Sequence, residues 1–435
     1  MGSNAASQAI DQKYQALGGQ SFLGPAVTQL VADVGIGGAP GFHVDYEGGS
    51  IYWSATTGAH VIYGDIRLKW LSVGGPKSNI GYPKTDEAPT ADNKSRFTDF
   101  AVDGHDTGAI YWTPDQGAHL IYGLIWLKWL SVGGETSNLG YPITDEASSP
   151  DNKSRFNNFG MDGHDTGAIY WTPAQGAHLI YGEIWLKWLS IGGEGSNLGY
   201  PITDEASTPD NICRFNDFAM DGHATGSIYW TPSGGAHLIY GEVWLKWNSL
   251  SGEAGPLGYP TTDETSAGDN NGRYNDFSKG GTIYWSPATG AHALVGGNPT
   301  ELAWTVNFTF PSGTNAGGWT TLKVFSNGAF EFTGNFHDSG PTAYDYSVAC
   351  VFVDADKKAW TAGHAGRIAG TLTPGSKDDP INESGNNPAL ARNWRAIAAG
   401  NQALRGRAQT SVSVEDILIA LISAAGAVGA AIALV

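Results

Sequence analysis

Residues 168–181 read AIYWTPAQGAHLIY, and close copies of this stretch recur along the chain. The tripeptide Ile-Tyr-Trp begins at positions 51, 110, 169, 228 and 283, which gives spacings of 59, 59, 59 and 55 residues. Gly-Ala-His begins seven residues after each of these isoleucines and places histidines at His60, His119, His178, His237 and His292. Five copies in one register establish an internal repeat as the main signal of the sequence.

Within one repeat, residues 125–142 (IWLKWLSVGGETSNLGYP) predict a short helix followed by a turn. The apolar residues have a helical spacing that would bury two indoles, and they are Ile125, Trp126, Trp129 and Leu130. Gly133-Gly134 then ends the helix. A strand is predicted around residues 155–159, and residues 168–171 and 177–181 predict a β-hairpin.

A repeat of this size, with one helix and one hairpin, has too small a core to be stable alone. Neighbouring copies must therefore bury each other's aromatic faces. The first copy has Lys13-Tyr14 where the others have Lys-Trp, but neither end of the array becomes polar as the cap of an open stack would. We predict that the five repeats close into a pseudo-symmetric ring over residues 8–297, in a chain that is mainly β with short helices.

The repeats stop at the cluster Gly296-Gly297-Asn298-Pro299, which predicts a linker. Apolar residues flank Asn327-Gly328, a favoured hairpin turn, and residues 344–353 predict another strand. Residues 298–412 are therefore predicted to form an antiparallel, β-sandwich-like domain.

His337-Asp338-Ser339 holds the residue types of a nucleophilic triad, but three adjacent residues cannot orient toward one another as a triad requires.

The last segment, residues 413–435, is predicted to be an apolar helix. Ser413 is a suitable N-cap, with Asp416 three residues further on. Residues 417–435 are 19 uncharged residues, which is near the lower length limit for crossing a bilayer as a helix. The sequence leaves open whether this helix is buried in a domain core, buried in a homo-oligomer, or inserted in a membrane.

Charge and cysteine content exclude other classes of partner and site. The chain has 24 Lys and Arg against 42 Asp and Glu, a net charge of -18, which opposes binding to a phosphate backbone. We therefore expect no nucleic-acid partner.

Cys213 and Cys350 lie in different predicted domains, so neither a disulfide framework nor a Cys-based zinc site is expected. Residues 1–10 lack the basic and apolar regions of a secretory signal.

The sequence from about Ile10 to Gly297 resembles the LGFP repeat family of bacterial cell-wall-associated proteins. The matching signature runs in order through Lys-Trp, Gly-Gly, Leu-Gly-Tyr-Pro, Thr-Asp-Glu, Ile-Tyr-Trp and Gly-Ala-His, and the tetrapeptides are Ile80–Pro83, Leu139–Pro142, Leu198–Pro201 and Leu257–Pro260. This resemblance implies a propeller-like disk with five-fold pseudo-symmetry, attachment to cell-envelope glycans, an extracellular or cell-surface location, and no catalytic activity.

Two departures from the family pattern leave the ligand class open. Tyr replaces Phe in the namesake motif, and copies two to four carry an additional Asp-Gly-His segment.

Each Leu-Gly-Tyr-Pro is followed by two acids, at Asp86-Glu87, Asp145-Glu146, Asp204-Glu205 and Asp263-Glu264. Paired acids are typical of glycosidases. A catalytic pair, however, needs one asymmetric site that separates the two pKa values, and four similar copies argue against such a site. We interpret these acids as structural groups that accept hydrogen bonds from backbone N–H groups, and we predict that the protein is not an enzyme.

The Gly-Ala-His histidines are spaced one per repeat, too far apart in a ring to share a metal ion. We therefore predict no metal site there, and we expect each of these histidines to be buried and bonded to a backbone carbonyl.

Aromatic side chains support a binding hypothesis, because flat π faces fit the apolar side of a pyranose ring. Trp126, Trp185 and Trp244 are the preferred ligand-binding candidates, because the second copy has Arg67 at the equivalent position and a core would rarely accept that exchange. The Asp-Gly-His segments are further candidates for a sugar, at Asp103, His105, Asp162, His164, Asp221 and His223. A cation at these loops is a weaker alternative, and no cofactor is expected.

The leading hypothesis is a non-enzymatic, lectin-like module that binds glycan or cell-envelope polysaccharide through several repeats at once. A first alternative is a glycan-targeted, membrane-active or toxin-like protein in which residues 417–435 insert into a bilayer. A second alternative is a structural scaffold without a ligand.

Overall fold

The computed structural model describes residues 2–268, 271–310, 313–400 and 403–435. The chain forms two compact units, residues 1–236 and 237–435. The boundary between the units falls inside the fourth Ile-Tyr-Trp repeat and not at the linker that the sequence predicted near Gly296. The last repeat therefore belongs to the same compact unit as the C-terminal domain.

The helices of the first unit are short. The first repeat contributes α1 (Gly2–Ala16), which carries Lys13-Tyr14, and α2 (Gln20–Leu23), and each following repeat contributes one helix, namely α3 (Gly64–Ser72), α4 (Gly123–Ser131) and α5 (Gly182–Ser190). The helix predicted around residues 125–130 is confirmed by α4. It is followed by Gly133 in a left-handed conformation, with φ 107°, which only glycine adopts without strain.

The strands of this unit form one antiparallel sheet for each repeat. The first sheet runs in the order β1 (Val31–Val34), β2 (Pro40–Tyr46), β3 (Gly49–Ser54), β4 (Gly58–Tyr63). The second sheet has the order β5-β7-β8-β9 with β6 beside β7, and contains β5 (Tyr82–Pro83), β6 (Ala88–Pro89), β7 (Arg96–Val102), β8 (His105–Thr113) and β9 (Gly117–Tyr122).

The third sheet repeats this pattern with β10 (Tyr141–Pro142), β11 (Ala147–Ser148), β12 (Arg155–Met161), β13 (His164–Thr172) and β14 (Gly176–Tyr181). The strand and hairpin predicted for this repeat are confirmed by β12, β13 and β14. The fourth sheet contains β15 (Tyr200–Pro201), β16 (Ala206–Ser207), β17 (Arg214–Met220) and β18 (His223–Thr231), and the boundary between the units falls in β19 (Gly235–Tyr240).

One tryptophan from each repeat helix packs between two successive sheets. Trp129 on α4 is fully buried; it meets Tyr111 of the second sheet edge to face at 4.9 Å and stacks on Phe159 of the third sheet at 6.2 Å. Its indole Nε1 donates to the carbonyl of Gly140 at 3.0 Å. The same sandwich recurs at Trp70 and Trp188. Neighbouring repeats therefore share one aromatic interior, as the small size of a single repeat requires.

The glycine of Leu-Gly-Tyr-Pro permits a close approach of two chain segments. Gly140 has φ 74°, and a Cβ there would lie 2.3 Å from the carbonyl oxygen of Gly160 on β12. The carbonyl that accepts the hydrogen bond from Trp129 therefore belongs to Gly140, at a position that only glycine can occupy.

The second unit begins with the last repeat. Its elements are α6 (Gly241–Ser249), β20 (Thr265–Ser266), β21 (Arg273–Asp276), β22 (Thr282–Ser286) and β23 (Gly290–Leu294), and the four strands pair in sequence order. The β21–β22 hairpin is shorter than its counterparts because this copy lacks the Asp-Gly-His segment, which accounts for the final spacing of 55 residues.

Beyond the linker lie two four-stranded sheets. One has the order β24-β25-β26-β29 and the other the order β30-β27-β28-β31; the bounds are β24 (Glu301–Thr309), β25 (Ala316–Phe325), β26 (Ala329–Asp338), β27 (Tyr344–Val353), β28 (Ala359–Ile368), β29 (Asp378–Asn386), β30 (Arg405–Thr410) and β31 (Ile432–Ala433). Both sheets contribute to one core, with Phe332 and Phe336 from β26 against Phe352 and Trp360 from β27 and β28. The predicted hairpin at Asn327-Gly328 and the predicted strand over 344–353 are confirmed.

Three helices complete this unit, α7 (Pro388–Arg392), α8 (Trp394–Ala399) and α9 (Val414–Ala425). The predicted N-cap is confirmed, because the Ser413 side chain accepts from the backbone N–H of Asp416. The prediction of a helix through Val435 is wrong. Gly426 adopts a left-handed C-cap, and the chain then returns to add β31 parallel to β28.

None of the helices in the described residues is long and apolar enough to span a bilayer. The closure of the five repeats into a ring stays a prediction.

The shared aromatic interior predicts the effect of removing one tryptophan. We expect Trp129→Ala to lower the free energy of unfolding by about 3–5 kcal/mol, since it removes a fully buried indole and its hydrogen bond. Leu127→Ala on the same helix is the control, because Leu127 is 52% exposed and should change stability by less than about 0.5 kcal/mol. Urea denaturation followed by circular dichroism measures both. Equal effects would contradict the packing role.

Candidate functional site

The aspartates of the acid pairs connect three separate elements. Asp145 accepts from the backbone N–H of Leu120 on β9 at 3.0 Å and from Lys69 Nζ on α3 at 2.9 Å, and His119 Nδ1 lies 3.6 Å from its Oδ1. The same contacts recur at Asp86 and Asp204. The interpretation as structural acceptors of backbone hydrogen bonds is confirmed for these aspartates.

The neighbouring glutamates turn to different partners. The Glu146 carboxyl is only 5% exposed and pairs with Arg155 Nε, while the second guanidinium nitrogen donates to Tyr122 Oη at 3.1 Å. Burial raises the pKa of Glu146, and the Arg155 guanidinium partly offsets this rise. Each acid of the pair is therefore held by its own cation and is directed away from the other.

Each of the histidines His60, His119 and His178 contacts a backbone carbonyl in the turn of its own hairpin. His178 Nε2 lies 3.0 Å from the carbonyl oxygen of Gln175, and its Nδ1 lies 3.4 Å from Asp204 Oδ1. His60 and His119 make the same contact to a backbone carbonyl. The predicted bond to a backbone carbonyl is confirmed at these three histidines, whereas His292 Nε2 lies 2.8 Å from the Thr289 hydroxyl oxygen. The prediction that they are buried is wrong, because their side chains are half-buried.

The tryptophans favoured by the sequence as ligand-binding residues lie in the repeat helices. Trp126 on α4 and Trp185 on α5 are each 5% exposed, whereas Trp244 on α6 is half-buried. Their burial leaves Trp126 and Trp185 little indole face to present to a sugar. Arg67 occupies the equivalent position because it finds polar partners there, Asp45 and Ser50 of the preceding sheet.

The Asp-Gly-His segments form tight hairpin turns between the two longest strands of their sheets. In the third sheet, Asp162 and Gly163 both have positive φ, 50° and 81°, as a type I′ turn requires. The turn exposes His164, and His105 and His223 are exposed in the same way. No cluster of metal-binding side chains occurs in the part of the chain that the structure describes.

Three grooves at successive repeat junctions use these turns as one wall. The first groove is lined by Ile36, Ala39, Pro40, Ser54–Thr56, Gly81, Tyr82 and Ala101–Asp103. The second is lined by Lys94, Thr113–Gln116, Tyr141, Ile143 and Gly160–His164. The third is lined by Asp151–Lys153, Thr172–Gln175, Glu194, Gly199, Tyr200 and Ala219–Gly222. Their volumes are about 120, 70 and 460 Å³.

The third groove is the largest and combines apolar and polar walls. Tyr200, from the Leu-Gly-Tyr-Pro segment, lines it, and its hydroxyl donates to Asp151 Oδ1 at 2.6 Å. Met220 and Pro173 add apolar surface, and Gln175 adds an amide. Such a concave mixture of apolar surface and a few polar groups is typical of small-ligand sites.

Ion pairs cross the second and third grooves from one repeat to the next. Lys94 Nζ lies 2.9 Å from Asp162 Oδ1, and Lys153 Nζ lies 2.7 Å from Asp221 Oδ1. Both pairs are solvent-exposed, so each contributes little to stability and can exchange partners with a ligand.

The structure thus places part of the predicted site together. Asp103, Asp162 and Asp221 each line one groove, and His164 lines the second groove. His105, His223 and the three tryptophans do not line these grooves. Sequence reasoning missed the groove tyrosines Tyr82, Tyr141 and Tyr200, although their recurrence in every Leu-Gly-Tyr-Pro segment was a usable signal. The assignment of any of these residues to ligand binding stays a prediction.

A family model described as LGFP repeat matches the chain five times, over residues 31–78, 80–137, 139–196, 198–255 and 257–304. These matches cover more than half of the chain and agree with the five copies identified from the sequence. The last match ends at residue 304, in the first half of β24, so nearly all of the two C-terminal sheets lies outside the family model. No curated protein matches the chain.

Three solved structures are distantly similar to the chain. A periplasmic gluconolactonase from Pseudomonas aeruginosa, PpgL, is 10% identical over 70% of this chain and 77% of that one, with a TM-score of 0.11. The U3-55K structure is 11% identical over 71% of this chain and 79% of that one, also with a TM-score of 0.11. The structure of the RRP9 WD40 repeats is 11% identical over 71% of this chain and 78% of that one, with a TM-score of 0.11. Similarities at this TM-score support no statement about fold or function.

The aspartate contacts predict how stability depends on pH. Burial opposes ionisation of Asp204, but hydrogen bonds from His178, Lys128 and the Leu179 N–H lower its pKa to about 2. A lowered folded-state pKa contributes stability above the ordinary value, and this contribution is lost as the pH falls toward 2.

We therefore expect Asp204→Asn to lower Tm near pH 5, and the difference from the unsubstituted protein to shrink as the pH approaches about 2. Differential scanning calorimetry across this range measures it. A Tm difference that stays constant with pH would contradict the assignment of these contacts to the ionised form.

Proposed function

The chain belongs to the LGFP repeat family, and from this we propose that it is a non-enzymatic, multivalent module that binds cell-wall or other cell-envelope glycans through the grooves between its repeats. LGFP repeats are typical of cell-wall-associated proteins, which is consistent with action at a cell surface. The ligand sites in this proposal are the three grooves and not the buried tryptophans.

The observation that carries the proposal is the recurrence of one groove at three successive junctions. Each groove is built from the same parts, a Leu-Gly-Tyr-Pro or Ile-Gly-Tyr-Pro tyrosine, a hairpin turn before Gly-Ala-His, and the aspartate of a hairpin tip. A polymer with repeating chemistry suits a surface with repeating sites, because weak single contacts combine when several sites are engaged by one chain.

The walls of the third groove match the two sides of a saccharide. Tyr200, Met220 and Pro173 provide apolar surface for C–H groups, while Gln175 and Asp221 provide acceptors and a donor for hydroxyls. A volume of about 460 Å³ is in the range of known small-ligand sites. The first and second grooves have smaller volumes, about 120 and 70 Å³, and fit a smaller part of a sugar.

The acid pairs support a function without catalysis. Asp145 is engaged by Lys69 and a backbone N–H, and Glu146 is engaged by Arg155. A glycosidase needs one carboxyl free to donate a proton and a second free to attack or to activate water. At the equivalent positions the aspartate joins neighbouring repeats, and the glutamate is paired with an arginine of its own repeat.

A groove variant tests the proposal directly. We expect Gln175→Ala combined with Met220→Ala and Asp221→Ala to weaken binding to a glycan-array hit at least roughly tenfold by isothermal titration calorimetry, because the variant removes wall groups from the largest groove. The matched control is Glu183→Ala with Leu186→Ala on α5, exposed residues outside the grooves, which should bind as the unsubstituted protein does.

Two outcomes would contradict the proposal. One is the absence of binding to every glycan and isolated wall polysaccharide tested with the full chain. The other is a groove variant that binds as tightly as its control while both remain folded by circular dichroism.

A further inference from the structure

An arginine on a repeat helix clamps the preceding sheet in the first unit. Arg67 on α3 donates through Nε to Ser50 Oγ at 2.7 Å and through a terminal nitrogen to Asp45 Oδ1 at 3.2 Å. Asp45 on β2 and Ser50 on β3 are register partners, and Ser50 also donates to Asp45 at 2.5 Å. Helix α3 packs against β3 and β4 of that sheet.

The same arrangement occurs at the last repeat, but the arginine comes from outside the repeats. Arg395 on α8 makes a forked pair with Asp276, at 2.6 and 2.9 Å to its two carboxylate oxygens, and donates to Thr282 Oγ1 at 3.2 Å. Asp276 on β21 and Thr282 on β22 are register partners, and they correspond to Asp45 and Ser50.

Helix α8 also packs where a repeat helix would. It lies against β22 and β23, the strands that correspond to β3 and β4. Its Ala396 and Ala399 share an apolar cluster with Tyr284, the tyrosine of the last Ile-Tyr-Trp segment. The Tyr284 hydroxyl donates to Asp356 Oδ2 of the C-terminal domain at 2.9 Å. The aromatic face that the next repeat would cover is thus covered by the C-terminal domain.

Arg395 is held more tightly than its counterpart. Its guanidinium stacks over the Tyr274 ring at 3.6 Å from the centroid, in addition to the forked carboxylate contact. Cation–π stacking and a forked carboxylate pair together fix both the position and the orientation of the guanidinium. Helix α8, which lacks the repeat signature, therefore makes with the last sheet the polar contact that Arg67 of α3 makes with the first sheet.

We propose that the face of the last sheet formed by Asp276, Thr282, Tyr274 and Tyr284 is a docking surface for an arginine-bearing helix, and that α8 fills it as a built-in cap. In this proposal the C-terminal domain ends the repeat array by supplying the helix that a further repeat would have supplied, and the cap therefore takes the place of the predicted closure of the five repeats into a ring. Repeat arrays require such caps, because a terminal repeat otherwise exposes the apolar face meant for its neighbour. The boundary of the compact units agrees, since residues 237–435 include both the last repeat and its cap.

A charge exchange in the full chain tests the cap. We expect Arg395→Asp and Asp276→Arg each to lower the Tm of the second unit by roughly 3 °C or more, and the double variant to recover at least half of the loss, because it restores an opposite pair. The control is the same exchange at Arg367 and Asp345, an ion pair in the same unit that is exposed on both sides. It should leave Tm nearly unchanged. If either charge-reversal variant does not fold, Arg395→Lys replaces it in the test. Lysine keeps the positive charge but cannot make the two parallel hydrogen bonds to the Asp276 carboxylate.

Hydrogen–deuterium exchange separates a cap from a merely local contact. In Arg395→Asp, amide exchange over residues 273–294 should accelerate at least roughly tenfold, while β25 to β28 of the C-terminal domain remain protected. Unchanged exchange in the last sheet, or no recovery in the double variant, would overturn the proposal.

Discussion

The rest of the repeat structure depends on one aromatic sandwich, in which the helix tryptophan lies between a tyrosine of one sheet and a phenylalanine of the next. Trp129 between Tyr111 and Phe159 is the model for the others. A single repeat cannot bury its own indole, so adjacent repeats are stable only together. The fixed spacing between sheets also fixes the grooves, because each groove is made by the loops of two neighbours.

The same requirement explains why the acids and histidines of the repeats are structural. Asp145 joins α3, β9 and its own loop, and Glu146 is paired with Arg155. The aspartate contacts add directional polar constraints to the apolar interior that neighbouring repeats share. Sequence differences between the repeats can then occur at the hairpin tips and turns that line the grooves. Proteins with a rigid scaffold usually carry their ligand-binding residues in such loops. The Asp-Gly-His turns, present in three copies and absent from two, are one such difference.

The C-terminal domain extends this architecture and is not simply attached to it. Its two sheets have their own core around Phe332 and Trp360, yet its helix α8 completes the last repeat through Arg395 and Ala396. An array of this kind faces a constraint at its end, where an apolar face has no further copy to cover it. Here a domain of different fold provides the missing helix.

The repeat, its register, the helix and hairpin of each copy and the structural role of the acids could be predicted from the sequence, because they follow from local spacing and from identical residues at identical positions. The sequence did not determine that Trp126 and Trp185 are buried, that three tyrosines line grooves, or that the apolar tail stops as a helix at Gly426 and adds a strand. It also gave no sign that Arg395 stands in the place of Arg67. These features arise where segments far apart in the chain meet, and side-chain exposure and partnership at such contacts are set by tertiary packing, which no local pattern encodes.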